Sequence, residues 1–136
     1  MSKIYINLPV TDLPKATVFY QALGFIKNEQ MSNADACGLV YDDNLSVMLL
    51  THTFTKTFLP TYKTIADSHT TCEVLNAIQL DTKENVDVFV KKALDAGGKL
   101  TMEYDHGFMY GKDLEDLDGH IWEIFWMDAT QIPPAA

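Results

Sequence analysis

Cysteine is scarce in this chain, and its placement excludes several kinds of small protein. Only two of the 136 residues are cysteine, and Cys37 and Cys72 lie in unrelated segments with no Cys-x-x-Cys spacing. A disulfide scaffold needs an even set of patterned cysteines, and a structural zinc site needs about four Cys or His ligands at short spacings. We therefore expect two free, buried thiols in a reducing cytoplasm.

Basic residues and long hydrophobic runs are also lacking. The chain has 10 Lys and Arg against 19 Asp and Glu, which gives a formal net charge of -9. Nucleic acids and anionic membranes are bound through an excess of Lys and Arg, so neither partner is expected. No apolar run approaches the roughly 20 residues of a membrane span. The residues after Met1 lack the charged and apolar regions of a signal peptide. These absences predict a cytoplasmic protein.

Apolar residues, in contrast, are present in ordinary amounts. The chain is 47% hydrophobic and contains 2 Trp, 6 Tyr and 7 Phe, which is enough for a packed core at this length. The length predicts a single domain over residues 1–130. Residues 131–136, which include Pro133 and Pro134, are expected to form a C-terminal tail.

The hydrophobic pattern of the first half recurs in the second half. Residues 4–10 alternate apolar and polar as a strand does, and a helical stripe capped by Asp12 follows. Residues 73–80 alternate again, before a second stripe capped at Asp81 and Thr82. Each stripe is followed by three segments with a strand pattern, at 25–30, 37–41 and 45–51 and at 100–104, 108–110 and 121–127. The sequence thus predicts an α+β fold of two βαβββ modules, about 3–51 and 73–128.

The connection at residues 52–72 is long and unusual in composition. Residues 51–72 hold eight threonines together with Phe54, Phe58 and Tyr62. One interpretation is a lid or dimer arm that covers a pocket with its aromatic side chains. The other is a surface insertion with one short helix over residues 62–67. The sequence leaves both open.

Two motifs at opposite ends of the chain resemble those of one superfamily. The first is Asn7-Leu8-Pro9-Val10-Thr11-Asp12-Leu13 with Phe19-Tyr20 and Leu23-Gly24-Phe25, and the second is Asp116-Leu117-Asp118-Gly119-His120-Ile121-Trp122-Glu123. Together with the duplicated module they resemble the vicinal-oxygen-chelate superfamily, which includes glyoxalase I, bleomycin-resistance proteins and extradiol dioxygenases. The resemblance covers essentially the whole chain. It implies curled half-barrel sheets with helices on the outer face, paired around one site.

The resemblance also implies where a metal would be held. Metal-dependent members use four ligands, usually His, Glu or Gln, and their positions fall on Tyr5 and Glu123 and, within two residues, on Leu49 and Leu75. Leucine has no donor atom, and a phenol with a pKa near 10 is a poor ligand at neutral pH. A catalytic metal needs about three protein ligands. The sequence therefore predicts a site without a cofactor or a family-type divalent metal.

Strand alternation predicts which side chains face the site. Glu123 shares a face with Phe125, and we expect the tryptophans on the other face to lie beneath a helix. The other residues expected on the site face are Tyr5, Asn7, Val47 and Leu49 in the first module and Leu75, Ala77 and Gln79 in the second. Apolar walls with a few polar groups are typical of a small-molecule site. The carboxylates before the closing motif offer a possible cation site, but we expect them to be solvated and turn-forming, namely Asp113, Glu115, Asp116 and Asp118.

Two functions follow from these observations. A binding protein of the bleomycin-resistance type would hold a small, partly apolar molecule in a dimeric barrel groove, and the leucines at the middle ligand positions favour this function. A glyoxalase-type lyase or isomerase would act next to a carbonyl with Glu123 as general base. The presence of Glu123 at the last ligand position favours this alternative. Both functions predict a homodimer and a small-molecule ligand.

Overall fold

Each half of the chain folds into one βαβββ module in the computed structural model, which describes residues 1–131. The boundary between the two units lies between Thr71 and Cys72. The prediction of an α+β fold made from a duplicated module is confirmed. The predicted tail lies, except for Gln131, outside the described residues.

The first unit is a four-stranded sheet with one long helix. Its elements are β1 (Ile4–Val10), α1 (Leu13–Ala22), β2 (Ile26–Asn28), β3 (Ala36–Val40), β4 (Leu45–Thr51) and the short α2 (His52–Lys56). The strand order is β1-β4-β3-β2, in which β1 runs parallel to β4 and the other neighbours are antiparallel.

Local sequence signals set the limits of α1. Asp12 is the N-cap, and its Oδ1 accepts a hydrogen bond from the backbone N of Lys15 at 3.0 Å. Gly24 takes a φ of +100° just after the helix, a conformation that favours glycine. Between these points α1 buries four side chains, Leu13, Ala16, Phe19 and Tyr20.

The second unit repeats this arrangement. Its elements are β5 (Asn76–Gln79), α3 (Lys83–Asp95), β6 (Lys99–Asp105), β7 (Met109–Glu115) and β8 (Ile121–Met127), with the strand order β5-β8-β7-β6. Thr82 caps α3 by accepting from the backbone N of Asn85 at 3.0 Å. The helix packs on β6, β7 and β8, and the Lys83 ammonium lies 5.1 Å from the centre of the Trp126 ring. The tryptophan face of β8 is therefore the helix side, as the alternation predicts.

Two expectations about the rest of the chain are wrong. Residues 62–67 form no helix, and the short helix of the connection instead begins directly after β4, at His52. Cys37 is buried but Cys72 is exposed, so only one of the two free thiols belongs to the core.

Among residues 1–131, no helix is long and apolar enough to cross a membrane.

Candidate functional site

A tight turn between β7 and β8 sets the geometry of the candidate site. Asp116 accepts hydrogen bonds at its Oδ1 from the backbone N of Asp118 and of His120, each at 2.9 Å. Gly119 adopts a φ of +86°, which a side chain would strain. The hairpin is centred on Asp118, and Asp113 and Glu123, five residues to either side, therefore lie directly opposite each other. Side chains opposite each other on antiparallel strands point to the same face.

The acidic run before this turn is not solvated, contrary to the expectation from sequence. Asp113, Asp116 and Asp118 are all buried, and Glu115 is half-buried. Asp116 is buried because its carboxylate accepts backbone hydrogen bonds inside the turn. The turn-forming role is thus correct for Asp116, while Asp113 belongs to the sheet.

Asp113, which was expected to be a solvated turn residue, is instead a candidate functional residue. It is only 6% exposed, and among the described residues its Oδ1 is buried without a hydrogen-bond partner. Burial, and then the neighbouring charge of Glu123, raise the pKa of Asp113. A buried polar atom normally has a partner, and an unpaired one costs stability, so this carboxyl needs a functional explanation.

Tyr104 brings a hydroxyl to the same two carboxylates. It lies opposite Gly111 on the neighbouring strand, and a Cβ at Gly111 would collide with the Tyr104 ring and hydroxyl. The glycine therefore lets the phenol lie flat across β7. Burial, followed by the charges of Asp113 and Glu123, raises the pKa of Tyr104. Its hydroxyl consequently stays protonated near neutral pH and is available as a donor.

The β5–β8 pairing brings two of the sequence-predicted residues to this face. Ala77 lies opposite Glu123, and Gln79 lies opposite Phe125. We call the side of the second sheet that carries these residues, opposite to α3, the Glu123 face. Its polar groups are Gln79, Tyr104, Asp113 and Glu123, and Lys99 and Glu115 lie opposite each other on neighbouring strands at one end. Phe125 adds an aromatic ring to the same face, two residues after Glu123 on β8.

Leu75 does not take its predicted place in the second sheet. The strand β5 begins only at Asn76, so Leu75 precedes it, and this side chain is 53% exposed. Only Ala77 and Gln79 of the predicted β5 set share a strand face with Glu123.

Leu49 also lies on the wrong face for its predicted role. The parallel register of β1 and β4 places Leu49 opposite Leu8, whereas Tyr5 and Asn7 lie opposite Ser46 and Met48. Leu49 is fully buried, on the same side as Cys37, and Cys37 lines a cleft together with residues of α1. Tyr5 and Asn7 thus share one face of the first sheet, and Leu49 lies in the core on the other.

The donor set does not fit a family-type metal. Within residues 1–131, no three His, Cys, Asp or Glu side chains are grouped as ligands. Beside Glu123 this face offers one further carboxylate, Asp113, and the Tyr104 phenol, while Glu115 lies at the end of β7, so three charged donors do not converge as a catalytic divalent metal needs. We therefore derive no chemical step through a metal.

Removing the Asp113 charge is expected to stabilise the protein. We expect Asp113→Asn to raise the free energy of unfolding by about 1 kcal/mol near pH 7, because two carboxylates opposite each other repel. The destabilisation by the Asp113 charge is absent where this carboxyl is protonated in both the folded and the unfolded state, below the unfolded pKa of about 3.8. It grows as the pH rises from there through the raised folded pKa.

Urea unfolding of both proteins between pH 4 and pH 8 checks this prediction. The difference between them should increase with pH. The control is Glu84→Gln, which removes the same charge from an exposed position on α3. A destabilised Asp113→Asn, or a difference independent of pH, would contradict the expectation.

Comparisons with known proteins agree with this fold. A family model described as the Glyoxalase/Bleomycin resistance protein/Dioxygenase superfamily matches residues 4–124. A similar solved structure is the hypothetical protein SA1046 from S. aureus, with 28% identity, a TM-score of 0.76 and coverage of 93% of this chain and 94% of that chain. Another is the fosfomycin resistance protein FosX from Listeria monocytogenes, with 19% identity, a TM-score of 0.67 and coverage of 96% of both chains. Among curated proteins, none matches this chain.

Proposed function

Because the chain belongs to the Glyoxalase/Bleomycin resistance protein/Dioxygenase superfamily, we propose that it binds a small, partly apolar molecule on the Glu123 face. The observation that carries this proposal is the buried carboxyl of Asp113, whose Oδ1 has no partner within the described chain. A ligand on this face would supply the missing partner. We propose further that the binding needs no metal.

The surroundings of Glu123 suit a ligand with an apolar body. Phe125, Ile121 and Met127 are half-buried on the same face of β8, and Met102 opposite Asp113 is 57% exposed. These side chains offer apolar surface that is only partly covered. Apolar walls with a few convergent polar groups are the usual composition of a small-molecule site.

A fragment screen followed by protein NMR tests the binding function. We expect members of a library of small, partly apolar fragments to shift backbone amide signals of β7 and β8 saturably, centred on residues 113 and 123. Shifts that concentrate elsewhere, or no saturable shift with any fragment, would refute the proposed site.

Glu123→Gln is the matched test of the central carboxylate. The amide keeps the shape of the side chain but loses its charge. We expect fragments that contact Glu123 to bind about tenfold more weakly, because a hydrogen bond to a charged group contributes about 1.5–3 kcal/mol. Glu84→Gln on the helix side should bind as the unaltered protein does. Equal affinities in all three proteins would show that Glu123 has no role in binding.

A second candidate function is a lyase or isomerase that moves a proton next to a carbonyl. The observation in its favour is the protonated Tyr104 hydroxyl near the Glu123 carboxylate, since proton transfer needs one donor and one acceptor. In this function Glu123 is the general base, and Glu123→Gln should lower turnover of an accepted substrate by a factor of about 10²–10⁴. A variant that turns over at an unchanged rate would exclude the base role.

We also propose a cytoplasmic homodimer. Several large apolar side chains of the strands are exposed in the single chain, among them Ile4 and Ile26, and a second copy would cover such surface. Light scattering after size exclusion should give twice the chain mass. A single-chain mass at micromolar concentration would contradict the dimer.

A further inference from the structure

We infer that Asp113 and Glu123 together form a subsite for a cationic group of the ligand, such as a protonated amine or a guanidinium. This inference rests on the proposed function and specifies its ligand class. It makes Asp113 a specificity-determining residue of the Glu123 face.

The first argument is the arrangement of the two carboxylates. Asp113 and Glu123 lie directly opposite each other, where the Cβ atoms of such a pair are about 4.5–5.5 Å apart. Their charges repel at this distance, and a positive group between them would convert the repulsion into attraction. The unpartnered Oδ1 of Asp113, which is buried on this face, would gain a hydrogen bond from the same group.

The second argument is that the described chain supplies no cation to the pair. Lys112, the neighbour of Asp113 along β7, points to the helix side, where its Nζ lies 3.0 Å from Asp87 and 3.6 Å from Glu103. Lys99 is on the Glu123 face, but it lies opposite Glu115 at the end of β6. Within residues 1–131, no ion pair joins either lysine to Asp113 or Glu123.

The third argument separates an organic cation from a metal ion. Tyr104 and Phe125 place aromatic rings beside the carboxylates, one opposite Gly111 on each side. Aromatic faces attract ammonium and guanidinium groups and pack against an attached apolar body. A hard divalent metal instead requires further oxygen ligands in place of rings. The combination of two carboxylates and two rings therefore favours an organic cation.

A matched pair of probes tests the subsite. 2-Phenylethylammonium and 2-phenylethanol have the same apolar body, and only the first is charged. We expect the amine to bind at least about tenfold more tightly in NMR titrations at pH 7 and low salt, with the largest shifts at residues 113 and 123. Asp113→Asn and Glu123→Gln should each remove the preference for the amine over the alcohol, while Glu84→Gln should keep the preference.

Each other outcome has a definite meaning. If both probes bind the Glu123 face equally, the cationic subsite is refuted and the proposed function stands. If neither probe nor any library fragment shifts the amide signals of this face, the cationic subsite and the proposed function are both refuted. A preference that survives in a folded Asp113→Asn protein would also overturn the subsite. Saturable shifts with micromolar MgCl2 at the same residues would overturn the organic cation in favour of a metal ion.

Discussion

Replacing Leu49 with alanine is expected to lower the free energy of unfolding of the first unit by about 2–5 kcal/mol. Leu49 is fully buried in the middle of β4, between Leu8 of β1 and Cys37 of β3. Truncation to alanine removes buried methyl groups and leaves a cavity, and both effects destabilise. Both tryptophans lie in the second unit, so hydrogen exchange of the β3 and β4 amides is the suitable measurement.

The adjacent Met48 provides the control for this substitution. It points to the other face of the sheet, opposite Asn7, and is half-buried. Met48→Ala should therefore cost distinctly less, about 1 kcal/mol, because less apolar area is lost. If Met48→Ala proved the more damaging of the two, the face assignment of β4 would be reversed, and Leu49 would share the face of Tyr5.

Replacing Trp122 with alanine is expected to lower the free energy of unfolding of the second unit by about 3–5 kcal/mol. Trp122 is 2% exposed and lies on the helix side of β8 with Ile124. It is among the largest fully buried side chains of the second unit, and its removal leaves a cavity that α3 and the sheet can fill only in part. Urea unfolding followed by the fluorescence of the remaining Trp126 measures the loss.

Phe125→Ala tests whether the Glu123 face of β8 belongs to a binding site and not to the core. Phe125 lies on the Glu123 face and is half-buried, so its truncation should cost about 1–2 kcal/mol of stability. The same variant should weaken binding of 2-phenylethylammonium, because the ring is a proposed contact of the ligand. A loss of stability as large as that of Trp122→Ala would place Phe125 in the core and argue against the site.

The sequence was sufficient for the order and type of most elements. The strand patterns at residues 4–10, 45–51 and 121–127 predicted three strands with the bounds that the structure has. Caps such as Asp12 and Thr82 predicted where helices begin, because their side chains accept the first free backbone N–H groups. These are local effects, and the chain within a few residues determines them.

The expectation that Leu49 faces the site is wrong for a reason that is not local. Residues 47–50 read Val-Met-Leu-Leu, an apolar run without alternation. Such a run is typical of a central strand covered on both sides, and it does not say which side chains face which way. The parallel register with β1 makes that choice, and it depends on residues about 40 positions earlier in the chain.

The Asp113 site was hidden for a related reason. Gly111, Lys112 and Asp113 have low strand propensity, so the predicted strand ended at Tyr110, whereas β7 continues to Glu115. One signal for the longer strand was present in the sequence. A hairpin turn centred on Asp118 places Asp113 opposite Glu123 if both strands continue. The turn position thus predicts the Asp113–Glu123 pair, although the strand propensity of residues 111–113 does not.

The sequence by itself determined a duplicated βαβββ fold and the helix-covered tryptophan side of β8, and it identified Glu123 as a candidate site residue. Only the tertiary structure decided which partners Glu123 has. Strand pairing placed Leu49 on the face of the first sheet that Tyr5 does not share, left Leu75 outside β5, and brought Asp113 and Tyr104 next to Glu123. The physical reason is that alternation fixes the faces within one strand, whereas register and burial, which depend on distant residues, decide which side chains meet across strands.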